Sequence, residues 1–170
     1  FGVKLIRRLD YELHIPDAVL HEVKNYLNSL PGRRTVIVNA FTGSLERNFS
    51  QYQLLEIITM LNKRADDIKI VIPDHRRELR VPPPANATVN PFLSLHHVMA
   101  LIHQADLVIS PDTSIVHISA VWNKPMISVY KDVIDNNDLW APGYENASQI
   151  IIQQRNLSDV AELPELISRE

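Results

Sequence analysis

A parallel α/β sheet covered by helices on both faces is the fold this sequence predicts, and three observations carry that prediction. Short β-branched runs without polar alternation recur along the chain, as strands buried on both faces require. Amphipathic segments with helical spacing separate them. The intervals between runs fit crossover units, which parallel pairing demands. With 170 residues, 45% of them hydrophobic and 22% charged, the chain can bury one such core.

The elements follow in order. Pro16-Asp17 opens a helix whose Val19, Leu20, Val23, Tyr26 and Leu27 share a face, and Pro31-Gly32 ends it. Thr35–Asn39 reads as a buried strand and Ala40–Asn48 as a polar loop. Ser50 with Gln53 three residues on makes a capping box, opening a helix through Leu54, Leu55, Ile58 and Leu61. Ile68–Ile72 is the next strand, stopped by Pro73. Residues 74–87 form a loop stiffened by Pro82-Pro83-Pro84, and Thr88-Val89 a short strand. Ser94 caps a helix carrying Leu95, Val98, Met99 and Ile102 on one face. Asp106–Ile109, Ser114–Trp122 and Met126–Val129 are expected as strand, short helix and strand. A longer loop spans residues 130–147, Gln149–Ile152 is the last strand, and Ser158 starts the closing helix. The packed domain is expected over residues 17–170, with residues 1–16 a linker from a preceding lobe.

Composition excludes several classes of function. A formal net charge of -3 gives no general pull toward nucleic acid or anionic membrane. The chain has no cysteine, which removes disulfides, thiolate nucleophiles, iron–sulfur clusters and Cys-based zinc sites, and suits a reducing compartment. Its four glycines, Gly2, Gly32, Gly43 and Gly143, are too far apart for a P-loop or a G-x-G-x-x-G turn. No stretch approaches the roughly 18 continuous apolar residues of a membrane helix, and Val3–Ile6 is too short for a secretory leader. Opening on Phe1 without Met, the chain reads as cut from a longer protein.

Ligands of open parallel sheets sit beyond the carboxyl ends of the strands, and two loops there are chemically loaded. In Ser110-Pro111-Asp112-Thr113-Ser114, three consecutive residues favour helix caps. Free N–H groups and the positive end of the dipole make such a helix start an anion site. The hydroxyls of Thr113 and Ser114 are expected as further donors, and His117 follows Thr113 at i+4 on the same side. The other loop offers Thr42, Gly43 and Ser44 for close backbone approach and Arg47 as a permanent cation. A diphosphate between the loops would meet hydroxyls on one side and a guanidinium on the other.

Other clusters carry less. His96-His97 and His103 lie on one helix without an acidic partner, and no metal is expected there. Asp66-Asp67 and Asp135-Asn136-Asn137-Asp138 lack the Asp-x-Asp spacing that chelates a metal–diphosphate; the second reads as a solvated loop. Arg76, Arg77 and Arg80 form a small basic cluster on a loop. Spacing defines no Ser–His–Asp arrangement.

Residues 94–130 nevertheless resemble a known family. A helix, Ala105-Asp106-Leu107-Val108-Ile109, the Asp112-Thr113-Ser114 turn with His117, a small-residue helix and Lys124-Pro125 before a strand look like the C-terminal half of glycosyltransferase family 9, the ADP-heptose heptosyltransferases of lipopolysaccharide synthesis. Asn39-Ala40-Phe41 with Arg47 is similar to that family's Asn-Pro-x loop and phosphate-contacting cation, and Trp140-Pro142 to its Trp-x-Pro. Ser114 stands where the family has Gly, and Lys131-Asp132 where it has Gly-Pro-Thr.

The resemblance implies a Rossmann-like lobe, the C-terminal one of a GT-B glycosyltransferase. Thr42, Gly43, Ser44, Arg47, Asp112, Thr113, Ser114 and His117 would hold the donor phosphates, and Asp74 and Phe92 the nucleoside. Transfer would be inverting and metal-independent, from an ADP-sugar to a lipopolysaccharide core acceptor, with no cofactor. The family's catalytic Asp belongs to the other lobe, so no catalytic residue and negligible transfer are expected of this fragment. The setting implied is cytoplasmic, at the inner face of the inner membrane, with peripheral membrane contact by the whole enzyme. Two other readings stand beside it: a non-catalytic α/β domain binding a nucleotide or a partner, and a sugar-phosphate epimerase preferring UDP-sugars.

Overall fold

The elements of this computed structural model, which describes residues 12–132 and 141–170, alternate along the chain. Helix α1 (Asp17–Ser29) leads into β1 (Arg34–Val38), α2 (Gln51–Arg64), β2 (Ile68–Ile72) and β3 (Ala87–Val89). Then come α3 (Leu95–Gln104), β4 (Leu107–Pro111), α4 (Ser114–Val121), β5 (Met126–Lys131), β6 (Ala147–Ile152) and α5 (Leu163–Arg169). The six strands form one sheet in the order β3-β2-β1-β4-β5-β6, and every neighbouring pair is parallel. The expected Rossmann-like α/β class therefore holds. Successive crossovers step outward from β1 in one direction and outward from β4 in the other, so the order reverses between these two strands.

Alternation along each strand feeds two cores. Val36, Val38, Ile70, Ile72, Ile109 and Val129 pack beneath α2 and α5. Ile37, Val71, Val108, Met126 and Tyr130 pack beneath α1, α3 and α4. Both faces being covered explains why these strands read as unbroken apolar runs. Lys69 interrupts β2 and is buried, yet its Nζ donates to Leu27 O at 2.6 Å. That places the ammonium at the negative end of α1, where a cation is favoured.

Gly32 makes the turn from α1 into β1 with φ +103°, and a Cβ there would lie 2.7 Å from the Ile68 carbonyl carbon. The chain is pressed onto β2 at this point because Arg33 N and Arg34 N both donate to Asp67 O.

The capping box of α2 forms as the sequence predicts: Ser50 Oγ accepts from Gln53 N at 3.1 Å, and Gln53 Oε1 accepts from Ser50 N at 2.7 Å. Ser50→Ala is expected to cost about 1 kcal/mol, a drop in Tm of about 2–4 °C for a chain of this size, measurable by circular dichroism.

Several boundaries differ from expectation. Strand β4 runs on through Ser110 and Pro111, and β5 through Tyr130 and Lys131, because these positions stay in register with their neighbours. Strand β6 starts at Ala147 rather than Gln149. Ser158 opens no α-helix: residues Leu157–Asp159 make a 3-10 turn, and α5 begins at Leu163 with Pro164 in its first turn, where a missing N–H costs nothing. Ile15 is buried with the α1/α3 core, so the packed body begins before residue 17. Most of the expected linker, together with Asp135-Asn136-Asn137-Asp138 and Trp140, lies outside the described residues.

Candidate functional site

At the reversal between β1 and β4 the two chemically loaded loops leave the same rim of the sheet. The first is closed by its own bonds. Phe49 N donates to Ala40 O at 2.9 Å, and Thr42 N to Asn48 Oδ1 at 2.7 Å. The Thr42 hydroxyl donates to Ser44 O at 2.7 Å and accepts from Ser44 N at 2.9 Å, so Thr42 braces the loop from within. Gly43 is exposed, has no positive φ, and a Cβ on it would meet nothing within 4 Å. The fold itself makes no demand for glycine there.

A 3-10 turn at Leu45–Arg47 then turns Arg47 across the rim. Its Nη1 donates to Asp112 O and to Asp112 Oδ2, each at 3.0 Å. The loops are thus joined directly, at the place where the sheet order reverses. A guanidinium carries five N–H donors. Only those on Nη1 go to Asp112, and among the described residues Nε and Nη2 meet no acceptor. The neighbouring Glu46 is held from the other side: Lys131 Nζ at the end of β5 lies 2.7 Å away, and Arg155 Nε 3.8 Å. The hydrogen bond from Lys131 keeps the Glu46 carboxyl below the ordinary glutamate range, with the attraction of that ammonium adding to it.

In the second loop Thr113, rather than Asp112 or Ser114, is the N-cap of α4; its Oγ1 accepts from Ile115 N at 3.2 Å, and its carbonyl accepts from Val116 N at 3.1 Å. Two of the four N–H groups orphaned at a helix start are thereby satisfied. Among the described residues, the N–H groups of Thr113 and Ser114 have no partner. Ser114 and His117 are exposed, one turn of α4 apart. Behind the cap, Asn39 Nδ2 donates to Ser110 Oγ at 3.0 Å, Ser110 Oγ donates to Pro111 O at 2.8 Å, and Thr113 Oγ1 lies 3.2 Å from Ser110 Oγ. Neither Ser110 nor Lys131 was among the expected site residues. The signal available for Ser110 was a lone polar residue closing an apolar strand.

Two expected residues share this rim but are engaged elsewhere. Asp74 is buried, and its carboxylate oxygens accept from Glu78 N at 2.8 Å and Leu79 N at 3.0 Å. Phe92 stacks on His97 with ring centroids 4.4 Å apart and meets Tyr26 edge-on. His97 in turn bonds Ser94 at 2.6 Å and Glu22 at 3.1 Å, fastening α3 to α1, while His103 lies edge-on to Trp122. Of the basic cluster, Arg77 donates to Asn90 O at 3.4 Å. Among the described residues no group of three or more His, Asp or Glu side chains is placed to hold a metal ion, and no helix is long and apolar enough to cross a membrane.

Residues 51–165 match the profile described as glycosyltransferase family 9 (heptosyltransferase). The chain belongs to glycosyltransferase family 9. The span that matches takes in the second loop, α4 and β5, and leaves Arg47 just outside it. Among curated relatives, the putative lipopolysaccharide heptosyltransferase 4 of Escherichia coli (strain K12) is 24% identical over an alignment of 155 residues that covers 89% of this chain and 43% of that protein. Among solved structures, E. coli heptosyltransferase WaaC with ADP aligns at a TM-score of 0.65 and 22% identity, over 86% of this chain and 47% of that one. E. coli ADP-heptose LPS heptosyltransferase II gives 0.72 at 15% identity, over 93% and 51%. The family 9 glycosyltransferase from Veillonella parvula DSM 2008 gives 0.74 at 12% identity, over 92% and 51%. This family 9 chain therefore spans about half the length of its relatives. Its family is one of enzymes, the heptosyltransferase-type glycosyltransferases, and its fold is the Rossmann-like sheet that those structures share.

Proposed function

We propose that this chain is the donor-binding half of a heptosyltransferase-like enzyme that carries a sugar, heptose, from an ADP-sugar to a lipopolysaccharide or lipooligosaccharide core. The observation that carries the reading is the Arg47–Asp112 junction beside the start of α4. A diphosphate lodged there meets the N–H groups of Thr113 and Ser114 on one side and Nε and Nη2 of Arg47 on the other. The dipole of α4 favours the same charge. Asp112 does not repel the ligand, because its carboxylate already faces Nη1 of Arg47. Ser114 Oγ and His117 line the same approach from the exposed side of α4. E. coli WaaC has been crystallised with ADP and with ADP-2-deoxy-2-fluoro heptose, which supports a donor of this kind.

As the bond to the anomeric carbon breaks, negative charge grows on the leaving diphosphate. Donors fixed in place beforehand stabilise that state more than the bound donor, which is where rate is gained. The reading is inverting and metal-independent, with Arg47 and the helix start supplying the positive field. The acceptor, and the base that takes its hydroxyl proton, are assigned to the rest of the protein, so this half by itself is expected to bind donor and transfer negligibly. The work is placed on the cytoplasmic side, at the inner face of the inner membrane.

Calorimetric titration tests the reading. Saturable binding of ADP with EDTA present, and weaker binding of UDP, is the expected result. No heat at millimolar ADP would sink it.

A further inference from the structure

Ser110 can give its single hydroxyl proton to only one acceptor, and the donors around it decide where the protons lie. Its Oγ sits 2.8 Å from Pro111 O, which has no proton to offer, so the Ser110 hydroxyl donates there. The amide nitrogen of Asn39, at 3.0 Å, can only donate, so it fills one Ser110 lone pair. The remaining lone pair faces Thr113 Oγ1 at 3.2 Å, and Thr113 must supply the proton. Thr113 Oγ1 then turns a lone pair to Ile115 N. The relay is directional: Asn39 and Thr113 both donate into Ser110, and Ser110 into the backbone.

We propose that Asn39 and Ser110 are positioning residues that commit the Thr113 hydroxyl inward as a helix cap, so that backbone N–H groups, and not that hydroxyl, face the bound anion. Both residues are buried, Asn39 at 3% and Ser110 at 0% exposure, and they stand at the ends of β1 and β4 where the sheet reverses. Asn39 also opens the loop that carries Arg47, and its main-chain N donates to Ile109 O at 2.8 Å. One residue therefore ties the guanidinium side of the site to the helix side. The sequence alone points to the opposite role for Thr113, that of a hydroxyl donor to phosphate. The inference rests on the donor-site reading for its ligand, while the relay itself can be tested without one.

Amide hydrogen exchange at Ile115, followed by NMR on the ligand-free chain, reports the cap. Ser110→Ala and Asn39→Leu are expected to speed exchange at Ile115 while the core strand Ile70–Ile72 keeps its protection. Unchanged exchange at Ile115 in both variants overturns the relay. Calorimetry with ADP then reports the consequence: each variant is expected to bind about three- to ten-fold more weakly, the worth of one net hydrogen bond. In a Thr113→Val background the Asn39→Leu change should have no further effect, since the path through which it acts is gone. An equal loss in both backgrounds, or wild-type affinity in Ser110→Ala, refutes positioning. Should Asn39→Leu fail to fold, Ser110→Ala in the two backgrounds carries the same test. A wild-type chain that shows the exchange pattern and ignores ADP would instead fault the donor-site reading.

Discussion

Arg47→Ala, introduced into the complete protein, is expected to slow sugar transfer by about 100- to 1000-fold, the loss seen when one fixed donor is taken from an anion hole. Two effects combine. On the proposed reading the guanidinium nitrogens assigned to the diphosphate vanish, and so do the two bonds from Nη1 that hold the first loop against Asp112. With Arg47 gone, the Asp112 carboxylate loses its cation beside the proposed diphosphate site and would oppose the charge that develops there. Arg47→Lys is expected to recover only part of the rate. An ammonium is a point charge and cannot serve the Asp112 carbonyl, the Asp112 carboxylate and a diphosphate in one planar arrangement. Steady-state kinetics with ADP-sugar, read as kcat and KM separately, decides the matter. A rate within about three-fold of wild type for Arg47→Ala would remove this residue from the donor site, since one anion-hole donor is worth far more.

The largest effect on stability is expected at Gly32. A methyl group there would be 2.7 Å from the Ile68 carbonyl carbon and 2.9 Å from Lys69 N, both backbone atoms that no rotamer change can move aside. The φ of +103° is costly for any L side chain as well. Strain and overpacking together put Gly32→Ala at about 3 kcal/mol or more. At about 2–4 °C per kcal/mol for a chain of this size, the melting midpoint should fall by about 6–12 °C. Differential scanning calorimetry measures it, with Gly43→Ala as the comparison. A Cβ at Gly43 meets nothing, so that variant should melt with the wild type. Equal midpoints for the two variants would mean that the α1–β1 turn does not need its glycine.

Much of the fold was legible because buried parallel strands announce themselves. Runs such as Val36-Ile37-Val38, apolar on both sides, have few other uses. The Ser50–Gln53 box was legible because both halves of it lie three residues apart in sequence. Most of what escaped was set by partners and turns that no residue pattern marks. Thr113 competes with Asp112 and Ser114 as a cap, and only the Ser110 oxygen behind it and the Arg47 guanidinium across from it sort the three roles. Asp74 is a nucleoside candidate by the family resemblance alone, and the turn that lets its carboxylate accept from the backbone N–H groups of Glu78 and Leu79 has no sequence mark. The start of α5 was misplaced because Ser158 has the chemistry of a cap, whereas Leu163-Pro164 held the better signal. The pairing of Arg47 with Asp112 joins residues 65 apart in sequence, and no local pattern announces such a bond.

Gln53 has a reach beyond the helix it begins. Its Oε1 serves Ser50, while its Nε2 donates to Leu157 O at 2.9 Å and to Val160 O at 2.7 Å. One buried amide thus latches the final stretch of chain to the root of α2, next to the loop that bears Arg47. Removing residues 153–170 would strip that latch, leave Gln53 Nε2 to water and take Leu157, Val160 and Leu163 out of the core. Residues 157–167 are therefore part of what holds the start of α2 in place.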